Sequence, residues 1–261
     1  MSTYVNYYIE QLDLQWSEVS ILINEANAVK ETNVPLYDAI CRSVSVLIVA
    51  HLEGFIKGLA KNIVSDLNQN HPFKELPESV KRTYCKKFIG YEPKAINNYS
   101  GKINELIDVF GVSNDIKITE DAFLFDDNKN PKPDIIKNVL EKFGIDDIFK
   151  NLHHSIFDQA FISVSKLNRV LKLTKIVVKG RTAEYPYTIK IKRFKCNPAK
   201  YNVGRTLWQS YLDEINQLRH KIAHGNSFNN YTDIRSLDES KLKAQLLQLA
   251  IILVVCGAFS K

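Results

Sequence analysis

"RSVSVLIVAHLEGFIKGLAK", residues 42–61, decides the fold. A helix drawn through it is apolar on nearly every face, and no proline interrupts it. Such a helix belongs inside a core, because no face of it suits water. Pro35 fits the first turn, and "NQNHPF" at 68–73 stops it, so the expectation is one long helix over 35–69. Arg42, His51 and Glu53 break the apolar surface. A buried carboxylate needs a partner, which singles out Glu53. Arg42 has an obvious one in Asp38, four residues back.

Upstream, residues 3–30 repeat Tyr8, Leu12, Val19, Leu22 and Ile23 at helical spacing and read as an amphipathic helix. Near the other end, 205–224 puts Leu207, Tyr211, Ile215, Leu218 and Ile222 on one stripe, with Gly225 as a natural C′ residue. Ser236 and Glu239 form an S-x-x-E pattern that opens a final helix over 237–259. Its run "LLQLAIILVVCGAF", 246–259, is shorter than the roughly 20 residues a membrane span needs, so a core helix is expected.

The middle of the chain differs. Short helices are predicted at 77–88, 101–110 and 133–143, the last with Pro133 near its start and Gly144 behind it, and a longer one at 146–172. "DDNKNPKP", 126–133, is a solvated loop. Then "TKIVVKGRTAEYPYTIKIKRFK", 174–195, alternates Ile189 and Ile191 with Lys190 and Lys192, which reads as a small basic β-ribbon. The expected fold is therefore mainly α. Residues 1–70 and 205–261 form a helical bundle, and 71–204 is an inserted mixed α/β region carrying the ribbon.

Composition is consistent with this picture. The chain has 261 residues, 45% hydrophobic and 25% charged, enough for one large domain or two small ones. Its net charge of +6 is compatible with a polyanionic partner without requiring one. Cys41, Cys85, Cys196 and Cys256 are scattered with no CxxC pair, which argues against a zinc knuckle and for a reducing, cytoplasmic setting. "MSTYVNYYIEQ" has no basic-then-apolar leader. No membrane association, cofactor, repeat or low-complexity tract is expected.

The stretch "QLRHKIAHGNSF", 217–228, carries the chemistry. Arg219, His220, Lys221 and His224 crowd a helix end, where cations favour the negative end of the macrodipole. That plain reading competes with another. A histidine with a pKa of about 6.5 is a poor permanent charge but a good proton carrier. RNA cleavage without a metal needs a base at the 2′-OH, an acid at the leaving 5′-oxygen and a cation on the phosphorane. Histidine suits the first two roles and the arginine fork the third. Geometry complicates this: five residues at ~100° each turn Arg219 and His224 roughly 140° apart. Either the last turn unwinds beside Gly225, or two copies face each other across a twofold axis.

At these residues the chain resembles the HEPN superfamily, helical nucleases and nucleotide-binding modules marked by R-x4-H. "LRHKIAHG" looks like the form in HEPN ribonucleases of prokaryotic defence and toxin systems, and the 42–61 helix resembles the N-terminal helix of one such group. The resemblance covers about 70 N-terminal and 57 C-terminal residues. It implies a homodimer with a composite, metal-independent site, in which Arg219 binds the scissile phosphate and His224 is general base or acid. The polar residue after the arginine, commonly Asn, is His220 here. HEPN toxins paired with nucleotidyltransferase antitoxins carry a tyrosine two residues after the histidine. Asn226 stands there in this chain, which speaks against control by AMPylation at that position. An antitoxin or defence-system protein is the implied partner.

His220 and His224 at i, i+4 have metal-ligand spacing, but "HKIAH" lacks the Glu of H-E-x-x-H. In "NLHHSIF", 151–157, adjacent helical histidines would point to different faces and belong at the surface or an interface. Glu53 is a candidate to orient Arg219. Lys190, Lys192, Arg193 and Lys221 are candidates for the RNA backbone, with Tyr185 and Tyr187 for base stacking. The first functional reading is an endoribonuclease acting on single-stranded RNA, with a tRNA loop as the favoured case. The second is a non-catalytic RNA- or nucleotide-binding HEPN module, and the third a helical interaction protein.

Overall fold

A computed structural model describes residues 2–113, 115–124, 131–196, 204–225 and 232–260. It is almost wholly helical. Two long helices, α1 (Tyr4–Val29) and α2 (Val34–Asn70), form an antiparallel hairpin. Thr3 caps α1, and Asn33 caps α2, with Pro35 in its first turn. Along α2 the buried residues include Cys41, Val44, Ile48, Leu52, Phe55, Leu59 and Ile63, and their i+3/i+4 spacing wraps through the core as the apolar sequence requires.

Helix α3 (Glu78–Ile89) packs on α4 (Tyr99–Val112) as a side layer. Phe73, Tyr84, Phe88 and Phe110 form an aromatic cluster there. Next come α5 (Pro133–Glu141), ended at Gly144 with φ +89°, and the short α6 (Ile148–Leu152). The helix expected over 146–172 is instead α6, a 3-10 turn at Ile156–Phe161, and α7 (Val164–Arg181) capped by Ser163. The break falls at His154, whose φ of +57° no helix accepts.

Two terminal helices complete the bundle: α8 (Leu207–Ala223) and α9 (Ile234–Ala258). From Leu246 to Cys256 every residue of α9 is buried. By length and composition α2 and α9 could each cross a membrane, but in this fold α9 is the central core helix. Its N-cap is Asp233, whose carboxylate accepts from the N–H groups of Arg235 and Ser236, three residues before the cap expected at Ser236. The capping box is on α8, between Thr206 and Gln209.

The β-ribbon is not there: no strand occurs among the described residues. "KIVVK" lies within α7, where Leu167, Val170, Thr174 and Val178 are buried at helical spacing against the bundle. Tertiary packing along α9 overrides the β-branched preference. "YTIKI" does alternate, with Tyr187 and Ile189 buried and Thr188 and Lys190 exposed. It has no partner strand. One isolated bridge joins Tyr187 to Ser260, and the chain then turns into a 3-10 segment, Ile191–Phe194.

Cross-links fix the relative directions. Asp66 accepts hydrogen bonds from the N–H groups of Tyr4 and Val5 and from the Tyr187 hydroxyl. Thr3 donates to the Thr182 carbonyl. The starts of α1 and the ends of α2, α7 and α9 therefore share one end of the bundle. Helix α8 runs antiparallel to α9, with the Tyr211 hydroxyl donating to the Ser240 carbonyl at 2.7 Å. The end of α8 lies at the opposite end, beside the start of α9. Helix α7, from the middle of the chain, supplies one wall of the bundle by packing along α9.

Candidate functional site

The motif sits on the last turn of α8. Trp208, Tyr211, Leu212, Ile215 and Asn216 form the buried face of that helix. Arg219 continues this face and is half-buried, while His220, Lys221 and His224 are exposed. His224 is the C-cap, its N–H still bonded to the His220 carbonyl at 3.1 Å, and Gly225 follows with φ +69°. That left-handed turn is one a glycine adopts without a Cβ clash. The helix stays regular up to His224, so its last turn does not swing that ring round toward Arg219.

The two histidines do meet. Their ring centroids are 4.2 Å apart on one side of α8. Arg219 leaves the helix on another side, roughly 100° from His220 and 140° from His224. Among the described residues, no hydrogen bond or ion pair engages its guanidinium. A half-buried cation with no acceptor among the described residues suits an anionic ligand.

Beside the histidines is an open groove of about 560 Å³, lined by Lys132, Asp213, Asn216, Gln217, His220 and Lys221. Asn216 donates to the Leu212 carbonyl at 2.7 Å and the Pro131 carbonyl at 3.3 Å, and its Oδ1 is buried without a donor. Asp213 is engaged by Arg205. Asn216 was not a candidate from the sequence, since an Asn on an apolar stripe gives no signal of groove lining. Asn226 lies outside the described residues.

Glu53 is elsewhere. It pairs with Lys57 at 3.5 Å on α2. The backbone of its near neighbour His51 accepts from Gln248, midway along α9, whereas Arg219 is level with the first turn of α9. At 1.5 Å per residue the axial offset is about 20 Å, so the Glu53–Arg219 pair is not made within one chain. His51 packs edge-on against Trp16, and burial lowers its pKa.

The basic candidates divide between two places. Lys221 is at the α8 groove. Lys190 and Arg193 line a separate cavity of about 300 Å³ with Arg181 and Thr188, over an apolar floor of Ile156, Leu173, Val177 and Phe194. Lys192 is exposed on the same 3-10 segment but does not line the cavity. This cavity is near the far end of the bundle, because the Ile189 N–H bonds Ser260. Along α9 that is about 40 Å from the start of the helix. Tyr185 and Tyr187 are not free to stack on bases. Tyr187 is 1% exposed and bonds Asp66, and the Tyr185 hydroxyl meets His71 Nε2 at 3.0 Å.

His153 and His154 also differ from expectation. They are not on a helix, and the turn at His154 brings their rings to 3.8 Å, beside Asp158.

The family model described as RiboL-PSP-HEPN matches residues 11–256. The match runs from within α1 almost to the end of α9, through the whole of 71–204. No curated protein and no solved structure matches the chain.

Proposed function

The chain belongs to the RiboL-PSP-HEPN family, and from that membership we propose that it is a metal-independent endoribonuclease. Its substrate is single-stranded RNA, a tRNA loop being the favoured case, and its role is that of a toxin or antiviral defence effector held in check by a partner protein. The observation that carries the reading is the half-buried Arg219 guanidinium, without a protein acceptor among the described residues, next to a paired His220 and His224 at an open groove. In the reaction a histidine takes the 2′-OH proton, the 2′-oxygen attacks phosphorus and the P–O5′ bond breaks. A second proton carrier protonates the leaving 5′-oxygen. Arg219 neutralises the equatorial oxygens of the phosphorane.

The divergence of Arg219 and His224 is resolved by a homodimer in which two α8 ends face each other, each phosphate receiving Arg219 from one chain and His224 from the other. Asn226 is a supporting residue of that assembled site; Glu53, paired with Lys57 midway along the bundle, is not. Lys221 holds the RNA backbone at the α8 groove, and Lys190, Lys192 and Arg193 hold it away from the scissile bond.

One observation favours a second reading, a non-catalytic RNA- or nucleotide-binding module. The cavity lined by the cations Arg181, Lys190 and Arg193 suits an anion, yet it is remote from the histidines. Incubating the purified chain with single-stranded RNA and tRNA in EDTA separates the two. Fragments ending in 2′,3′-cyclic phosphate and 5′-OH are expected. Binding without cleavage would establish the second reading.

A further inference from the structure

Near the turn between α6 and α7, three side chains of metal-binding type converge: His153, His154 and Asp158. One ligand atom from each lies within 4.8 Å of the others. The backbone explains the convergence. Helix α6 ends at Leu152, His154 adopts φ +57°, and the reversal folds the second ring back over the first. Asp158, in the following 3-10 turn, closes the loop by accepting the His154 N–H at Oδ2, 2.7 Å away.

Two atoms of this cluster are unsatisfied. His153 Nδ1 and Asp158 Oδ1 are buried with no hydrogen-bond partner. Leaving such groups bare costs about 1–3 kcal/mol each, more for an ionised carboxylate. They do not satisfy each other, since no bond or ion pair joins the carboxylate to either ring among the described residues. A spacing too long for a hydrogen bond and too short for an intervening side chain is what ligands around one ion have. Imidazole nitrogen and carboxylate oxygen bind zinc-type cations at roughly 2.0–2.2 Å.

We propose that His153, His154 and Asp158 form a binding site for one zinc-type divalent transition-metal ion, with solvent completing its coordination. Two imidazoles and a carboxylate select zinc, cobalt or nickel over magnesium or calcium, which prefer oxygen ligands alone. The site is structural. It staples the turn that precedes Ile156–Phe161, and Phe161 packs edge-on against Trp208, whose helix ends in Arg219 and His224. It is separate from the α8 histidines and from the RNA chemistry.

The test uses the full chain stripped with EDTA and passed into metal-free buffer. Titration with Co²⁺ followed by visible absorption is expected to show one equivalent per chain, displaced by Zn²⁺. At a hundredfold excess of Zn²⁺ over Kd the Tm should rise by about 5 °C. His154→Ala, an exposed position, and Asp158→Asn should each remove both the cobalt spectrum and the Tm rise. His220→Ala combined with His224→Ala should leave both unchanged. The proposal is overturned if the wild-type chain binds no equivalent, if the first two variants still bind one, or if the α8 double variant loses it.

Discussion

The imidazole rings of His220 and His224 lie 4.2 Å apart on one side of α8, and the guanidinium of Arg219 leaves the same helical turn on another. The two imidazoles are thus close together while the guanidinium points away from them. In the homodimer proposed above, each site draws its Arg219 from one chain and its histidines from the other.

Mixing follows directly. Arg219→Ala chains and His224→Ala chains, each inactive alone, should regain activity on subunit exchange. Every mixed dimer holds one intact site and one doubly broken one, so equal mixing should restore about a quarter of wild-type cleavage if exchange is random and sites act independently. A chain that is monomeric at micromolar concentration in light scattering and fully active would rule this out.

Taken singly, Arg219→Ala and His224→Ala should each lower cleavage by about 100-fold or more, the scale of lost phosphorane stabilisation or lost proton transfer. Neither should change the circular-dichroism melting curve appreciably, because His224 is exposed and Arg219 only half-buried at the end of α8, so truncation opens no core cavity. Wild-type rates from either variant would remove that residue from the mechanism.

Lys190→Glu with Arg193→Glu should weaken RNA binding and flatten its salt dependence by up to about two units of log–log slope. Single-turnover cleavage at saturating RNA should stay near wild type, since the cavity is at the other end of the bundle. An unchanged binding isotherm would assign this cavity to something other than RNA.

Asp66→Ala should destabilise the fold by about 3 kcal/mol, seen as a Tm drop on the order of 10 °C. The change strands the Tyr187 hydroxyl and the N–H groups of Tyr4 and Val5 at a buried junction of three elements. Asp66→Asn keeps one acceptor and should lose less. Equal melting of wild type and Asp66→Ala would show that the junction contributes nothing.

Much of this protein was legible in its sequence because the signals are local. Apolar periodicity alone marks α1, α2, α8 and α9, since a helix long enough to cross the bundle must show its buried face along its whole length. Gly225 marks the end of α8 for the same local reason, a left-handed turn, and so places Arg219 and His224 at a helix terminus. The S-x-x-E pattern failed at Ser236 because Asp233, a stronger acceptor three residues earlier, caps first.

What the sequence determined by itself is the set of long helices and the position of the R-x4-H residues on the last of their turns, both consequences of bonds that span four residues. Only the tertiary structure decided the rest. It turned "KIVVK" into helix because the wall of α9 rewards a helical stripe more than an unpaired strand. It set Glu53 against Lys57 rather than Arg219, and the Lys190–Arg193 cavity at the far end from the histidines, because axial level depends on which helix packs where and no spacing within one helix encodes it. It brought His153, His154 and Asp158 together through a positive φ at His154 that the surrounding packing imposes and that no local preference foretells.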